Sequence, residues 1–285
     1  MHYSKRQSLR RDERAVTPAI STVILTSAVV VMILLAMSFA NNMLGSRLAE
    51  NEYSTNKQFM LTTGLQVDDV AWTIGRTQTV RFSSEYGNLQ FQKSTIRYTI
   101  QVDNGSGVLK TLFQQETGII LFNIPVSSYS MGNNYFERIS PSSSGSFLQL
   151  GPSAPATHVF CAEKLPMAGG SYTRIVVAPS IRMLNSTITG PQQSSINYFK
   201  LYMPLLQNGT HLYRSQSVTL SGDGITKVIE SGVKQIRITA TFPNNSAGFD
   251  NSLFHFASES ETINLPAGSI VEFYLGKVLV TIGQV

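Results

Sequence analysis

The chain is poor in the residues from which small chemical sites are usually built. Its 285 residues include one cysteine, one tryptophan and four histidines, and only 14% of the side chains are charged. A single cysteine, Cys161, excludes an intramolecular disulfide, so the fold must rest on an apolar core. A lone thiol in such a chain reads as a small buried hydrophobe. His2, His158, His211 and His255 have no cysteine, aspartate or glutamate at zinc-ligand spacing. His158 and Cys161 lie three apart in strand-like sequence, and an odd spacing there sends the side chains to opposite faces. H-E-x-x-H, G-x-S-x-G, phosphate-loop and EF-hand strings are missing. Ser221-Gly222-Asp223-Gly224 has too few acidic ligands for calcium and reads as a turn. Asp68 and Asp69, neighbours on a helical pattern, do not face one another and read as solvated helix charge. We therefore expect no catalytic, cofactor-binding or metal-binding residues, and no enzyme.

What is present is a long run without charge. No charged side chain occurs between Ala15 and Ser46, about 48 Å of α-helix at 1.5 Å per residue. The hydrocarbon core of a bilayer is roughly 30 Å thick, so this segment can span it. Before it, Lys5, Arg6, Arg10, Arg11 and Arg14 stand against Asp12 and Glu13. Three of the five units of formal net positive charge thus come from a short tail, which argues against a nucleic-acid footprint. Basic residues beside a span stay cytoplasmic, which places the bulk of the chain outside. A secretory signal peptide has a shorter apolar core and a small-residue cleavage site. Ser38-Phe39-Ala40 is the nearest imitation of such a site.

The boundary itself is more specific. The string Arg10-Arg11-Asp12-Glu13-Arg14-Ala15-Val16-Thr17-Pro18, running into Ala19 and Ile20, resembles the class III signal of archaeal type IV pilins. The resemblance covers about 35 residues, the charged leader and the apolar helix, and leaves the rest of the chain unassigned. It implies that a prepilin-type peptidase removes residues 1–15 on the cytoplasmic side, cutting between Ala15 and Val16. Bacterial pilins carry glutamate at the fifth mature position, where this chain has Ile20, which favours an archaeal type. Pro18 then falls in the first helical turn, where its missing N–H costs nothing. Ser21, Thr22, Thr26, Ser27 and Ser38 are small hydroxyl residues, which allow close helix approach in lipid or are simply tolerated in a lone anchor.

Helical periodicity continues beyond the span. Phe59, Thr63, Val67, Val70 and Ile74 recur at spacings of three and four, so the pattern predicts a helix over 16–74, membrane-spanning to about residue 42. Gly45 and Gly64 weaken it, with a break expected near Gly45 or in the Tyr53–Asn56 patch. From Gly75 the period drops to two. Strands are expected at 77–82, 88–92, 95–102, 108–113, 118–124, 146–150, 158–162, 173–178, 197–205, 217–220, 235–242 and 261–265. A final pair, 269–275 and 278–282, would close at Gly276-Lys277. Asp103 to Gly107 reads as a hairpin loop, and Ser140–Ser146 and Gly190–Ser195 as loops. The expected fold class is α+β: a long N-terminal transmembrane helix followed by an antiparallel, β-rich, sandwich-like head over 75–285. Tyr129, Tyr135, Phe136 and Phe249 lie in loop-like sequence, either packed beneath loops or exposed as contact anchors. Asn104, Asn185, Asn208 and Asn244 begin Asn-x-Ser/Thr sequons, candidate N-glycosylation sites on an external surface.

Two functions fit. The first is a structural subunit of an archaeal pilus-like filament on the cell surface. Its partners would be the membrane, a prepilin-type peptidase, and copies of itself or related pilin-like subunits through the helix, with no nucleic acid and no cofactor. The second is a permanently membrane-anchored cell-envelope binding protein with the same single span.

Overall fold

The computed structural model describes residues 13–189, 195–209 and 216–283. Helix α1 covers Glu13–Ala71, and the chain divides into two compact units between Leu48 and Ala49, inside that helix. Neither Gly45 nor the Tyr53–Asn56 patch interrupts α1. Isolated glycine lowers helix stability by only about 1 kcal/mol, less than the long flanking helix-forming runs recover. The expected loop at Gly190–Ser195 and His211 lie almost wholly outside the described residues.

In the first unit every residue from Ile20 to Leu44 is exposed. In the second unit, residues 49–71 of α1 pack on a mixed sheet. Its eleven strands among the described residues are β1 Thr77–Arg81, β2 Asn88–Asp103, β3 Lys110–Pro125, β4 Tyr135–Ser140, β5 Leu148–Leu150, β6 Thr157–Glu163, β7 Tyr172–Pro179, β8 Ile181–Thr189, β9 Ser195–Asn208, β10 Ser217–Thr241 and β11 Ser260–Gly283. They run in the order β4-β6-β7-β3-β2-β10-β11-β9-β8-β5, with β1 beside β10. The expectation of an antiparallel head holds for most pairs, but β9 runs parallel to β11 and β5 parallel to β8. The returning chain between β9 and β11 supplies the crossover that parallel pairing requires.

Three of the strands are buried on both faces, which explains the unbroken apolar runs Gly118–Phe122, Phe160–Ala162 and Ile175–Ala178. One face, with Ile120, Phe122, Val159, Cys161, Ile175 and Val177, packs against Phe59, Met60, Val67 and Val70 of α1. The opposite face, with Ile119, Leu121, Phe160 and Val176, meets Phe199, Leu201, Ile238 and Phe273 from the far half of the sheet. The sheet thus curls over its own inner face, as a sandwich does. Phe113 of β3 stacks edge-on to Phe273 of β11 at 5.5 Å, and the Leu206 N–H donates to Thr117 Oγ1 at 2.9 Å.

Several short strands merge. The two stretches at 88–92 and 95–102 form β2 alone, and 261–282 forms β11 alone. The turn expected at Gly276-Lys277 is therefore absent: both residues lie inside β11, paired with Ile225 and Gly224 of β10. Glycine stands there because a Cβ at Gly276 would come within 2.4 Å of the Ala71 carbonyl oxygen. Gly222, in the segment expected to turn at 221–224, is its counterpart on β10, where a Cβ would meet Thr73 O at 2.4 Å. The two glycines form a seat for the end of the helix. Gly64 does the same from the helix side, lying against Val159 and accepting a hydrogen bond from Thr157 Oγ1 at 3.1 Å.

Candidate functional site

The largest exposed feature is the apolar stretch of α1 from Ile20 to Leu44. Its side chains are large and open: Leu25 is 67%, Leu35 65% and Phe39 73% exposed. They surround the helix instead of forming one stripe, and a helix apolar on all sides is buried by something outside itself, lipid or other protein. Its hydroxyls do not compromise that surface. Thr26 Oγ1 donates to the Thr22 carbonyl at 2.9 Å, and Ser27 Oγ to the Ile24 carbonyl at 2.9 Å. Those two hydroxyl donors are satisfied inside the helix and need not seek water. The helix is long and apolar enough to cross a membrane. Ala15 and Val16 lie in its first described turn.

The end of the helix in the second unit is tied by charge. Glu52 accepts hydrogen bonds from Ser84 Oγ and from the backbone N–H groups of Glu85, Tyr86 and Gly87, the last at 2.8 Å. Burial raises its pKa, but those four donors outweigh burial and hold the carboxyl below the usual carboxylate range. Asp68 accepts from Arg182 Nη1 at 2.8 Å and from Trp72 Nε1 at 2.8 Å, while Asp69 pairs with Arg76. The expectation of solvated helix charge holds for Asp69, which stays exposed, and fails for Asp68, which is half-buried against Arg182. Trp72 is one helical turn from Asp68 and within reach of local spacing, whereas Arg182 lies on β8, where no local spacing could reveal it.

No group of three potential metal ligands occurs among the described residues. His158 and Cys161 do point to opposite faces of β6. His158 Nε2 donates to the Ser146 carbonyl at 2.9 Å, with its ring edge-on to Phe256. Cys161, fully buried, lies in the helix-side core. Glu163 is buried but already accepts from Ser130, the Met131 N–H and Thr173. His255 stacks on Phe136 at 3.9 Å.

The sequons differ in their surroundings. Asn104 is exposed in the β2–β3 connection, Asn185 is exposed on β8, and Asn208 is exposed at the end of β9. Asn244 is engaged: its Nδ2 donates to the carbonyls of Lys93 at 3.1 Å and Ser94 at 3.2 Å. Of the loop aromatics, Phe249 is buried, Tyr135 and Phe136 belong to β4, and Tyr129 stacks on Tyr53 at 4.9 Å. All four are packing residues. Sequence reasoning passed over Arg174, a charge inside the otherwise apolar run of β7. That interruption was the available signal, since a buried cation demands a partner. No protein family, curated protein or solved structure matches this chain.

Proposed function

We propose that this chain is a structural subunit of a surface filament of the archaeal type IV pilus kind. The observation that carries the reading is the helix surface from Ile20 to Leu44, apolar and exposed on all sides, directly after Arg14-Ala15-Val16-Thr17-Pro18. In this reading a prepilin-type peptidase cuts between Ala15 and Val16. The helix waits in the membrane and then packs among the helices of neighbouring subunits. Each square ångström of apolar surface covered contributes about 25 cal/mol, so a helix of this size supplies a large association energy. The β-rich head faces outward for adhesion or lattice contacts. Asn104, Asn185 and Asn208 offer open amides for N-linked glycan. Glycan on Asn244 would break at least one of the two hydrogen bonds that its amide nitrogen makes.

N-terminal sequencing of the mature protein, together with a search for the chain in sheared surface filaments, tests the reading. A start at Val16 and presence in filaments are expected. An intact Met1 with retention in detergent-extracted membranes would overturn it in favour of a permanently anchored binding protein. A start near Asn41 would overturn both.

A further inference from the structure

At the rim of the inner core, where β2, β3 and β7 lie side by side, a cavity of about 190 Å³ opens beneath Phe249 and Tyr172. Arg174 lines it and is only 3% exposed. Its guanidinium donates to the carbonyls of Tyr172 at 3.1 Å and Gly170 at 2.9 Å, and it lies over the Tyr172 ring at 5.4 Å. These contacts fix its orientation yet leave its charge unmatched, because no carboxylate lines the cavity or pairs with Arg174 among the described residues. Burial alone disfavours the cation, and an unpaired buried charge is costly unless an anion arrives.

The neighbouring groups are specific. Asn123, directly opposite Arg174 in the β3–β7 register, is 3% exposed, and its Oδ1 has no hydrogen-bond partner. Its Nδ2 donates to Asn88 Oδ1 at 3.3 Å, so Oδ1 is left a buried acceptor with no donor, which a ring hydroxyl reaches once the amide turns toward the cavity. Gln90 and Gln92, on the adjoining strand, bring two further amides to the cavity. At roughly 30 Å³ per water the space holds about six water molecules, the room of one sugar ring and less than a drug-sized ligand needs.

We propose that this cavity binds a single acidic sugar, a hexuronate unit, such as the terminal residue of an acidic polysaccharide. The carboxylate lies against the free N–H groups of Arg174, where a planar fork matches it. A ring hydroxyl donates to Asn123 Oδ1, the glutamine amides take the remaining hydroxyls, and Phe249 and Tyr172 cover the less polar ring face. Acetate would satisfy Arg174 but leave Asn123 orphaned, and glucose would leave the cation unpaired. The site does not depend on the helix or on how the N-terminus is processed.

The test is equilibrium dialysis of the full chain in detergent micelles against labelled glucuronate, with glucose and acetate as competitors. Glucuronate is expected to bind at least about tenfold more tightly than either competitor. Arg174→Gln should weaken it by at least about tenfold, and Gln90→Ala, at an exposed position, by about threefold. Equal binding of glucose, or full binding by Arg174→Gln, would overturn the site. Equal binding of acetate would overturn its assignment to a sugar. Should Arg174→Gln fail to fold, the Gln90→Ala/Gln92→Ala double variant decides: unchanged glucuronate affinity sinks the proposal.

Discussion

Glu52 shows how much one side chain can settle. A carboxylate on the helix gathers three backbone N–H groups and a hydroxyl from residues 84–87, fixing the chain between β1 and β2 against α1. Glu52→Gln keeps the size but replaces one acceptor oxygen with a donor facing other donors. We expect a loss of about 1–3 kcal/mol, read as a lower midpoint in urea unfolding. His158 makes a pH prediction. Burial, reinforced by Arg138 and only partly opposed by the Ser146 carbonyl, lowers its pKa to about 4, below the usual imidazole value of about 6.5. Between those values the unfolded chain binds more protons than the folded one, so stability present at neutral pH is lost as pH falls. The loss is expected to reach roughly 3 kcal/mol by pH 4, and His158→Gln should flatten that part of the melting profile. Glu52 and Glu163, both held low, add their own losses at still lower pH. At this scale the sequence was legible where period alone decides, as in the opposite faces of His158 and Cys161. It was silent on Asp68 and Arg182, which are joined across 114 positions.

Elements read well or badly according to whether their cause is local. The long helix and the switch to period two are local, and both were visible. The glycines were misread because glycine has two uses: freedom at a turn, and absence of a Cβ where backbones approach. Gly276 and Gly222 serve the second, which depends on a helix some 150 or more residues earlier in the chain. Gly276→Ala should therefore displace the end of α1 and cost about 1–3 kcal/mol. Gly224→Ala, two residues past Gly222, has no heavy atom within 4 Å of the new Cβ and should stay within about 0.5 kcal/mol of the parent. Thermal unfolding of the pair distinguishes a seat from a turn, since a turn would make Gly224 no less sensitive. The parallel pairings of β9 with β11 and β5 with β8 could not be read from any segment alone, because both strands of a parallel pair carry the same alternation as an antiparallel one. β4 and β8 were missed for a related reason: β4 is half-buried throughout and β8 turns exposed after Met183, so neither shows a clean alternation.

For the whole molecule the division between Leu48 and Ala49 has a practical meaning. The second unit buries its own core on both faces of the sheet, with residues 49–71 supplying the helical layer. A chain beginning at Ala49 is expected to stay soluble without detergent and to keep the circular dichroism of a β-rich fold, while the full chain requires detergent. Sedimentation in detergent-free buffer checks both. Truncation at Gly75 instead, at the point where the period changes, should expose Val159, Ile175 and Val177 and lead to aggregation. Composition had already located the apolar span and the β-rich remainder. It could not locate the unit boundary, because that boundary falls inside an unbroken helix and is set by which residues find a sheet to cover.

The position of Cys161 turns the molecule into its own gauge. The thiol lies in the helix-side core with Tyr53, and burial pushes its pKa up to about 11, so it meets a thiol reagent only when residues 49–71 lift from the sheet. As the sole cysteine it gives one unambiguous signal. Its labelling rate in micelles, in membranes and in any assembled form would time how often that helical layer opens, with no residue substituted.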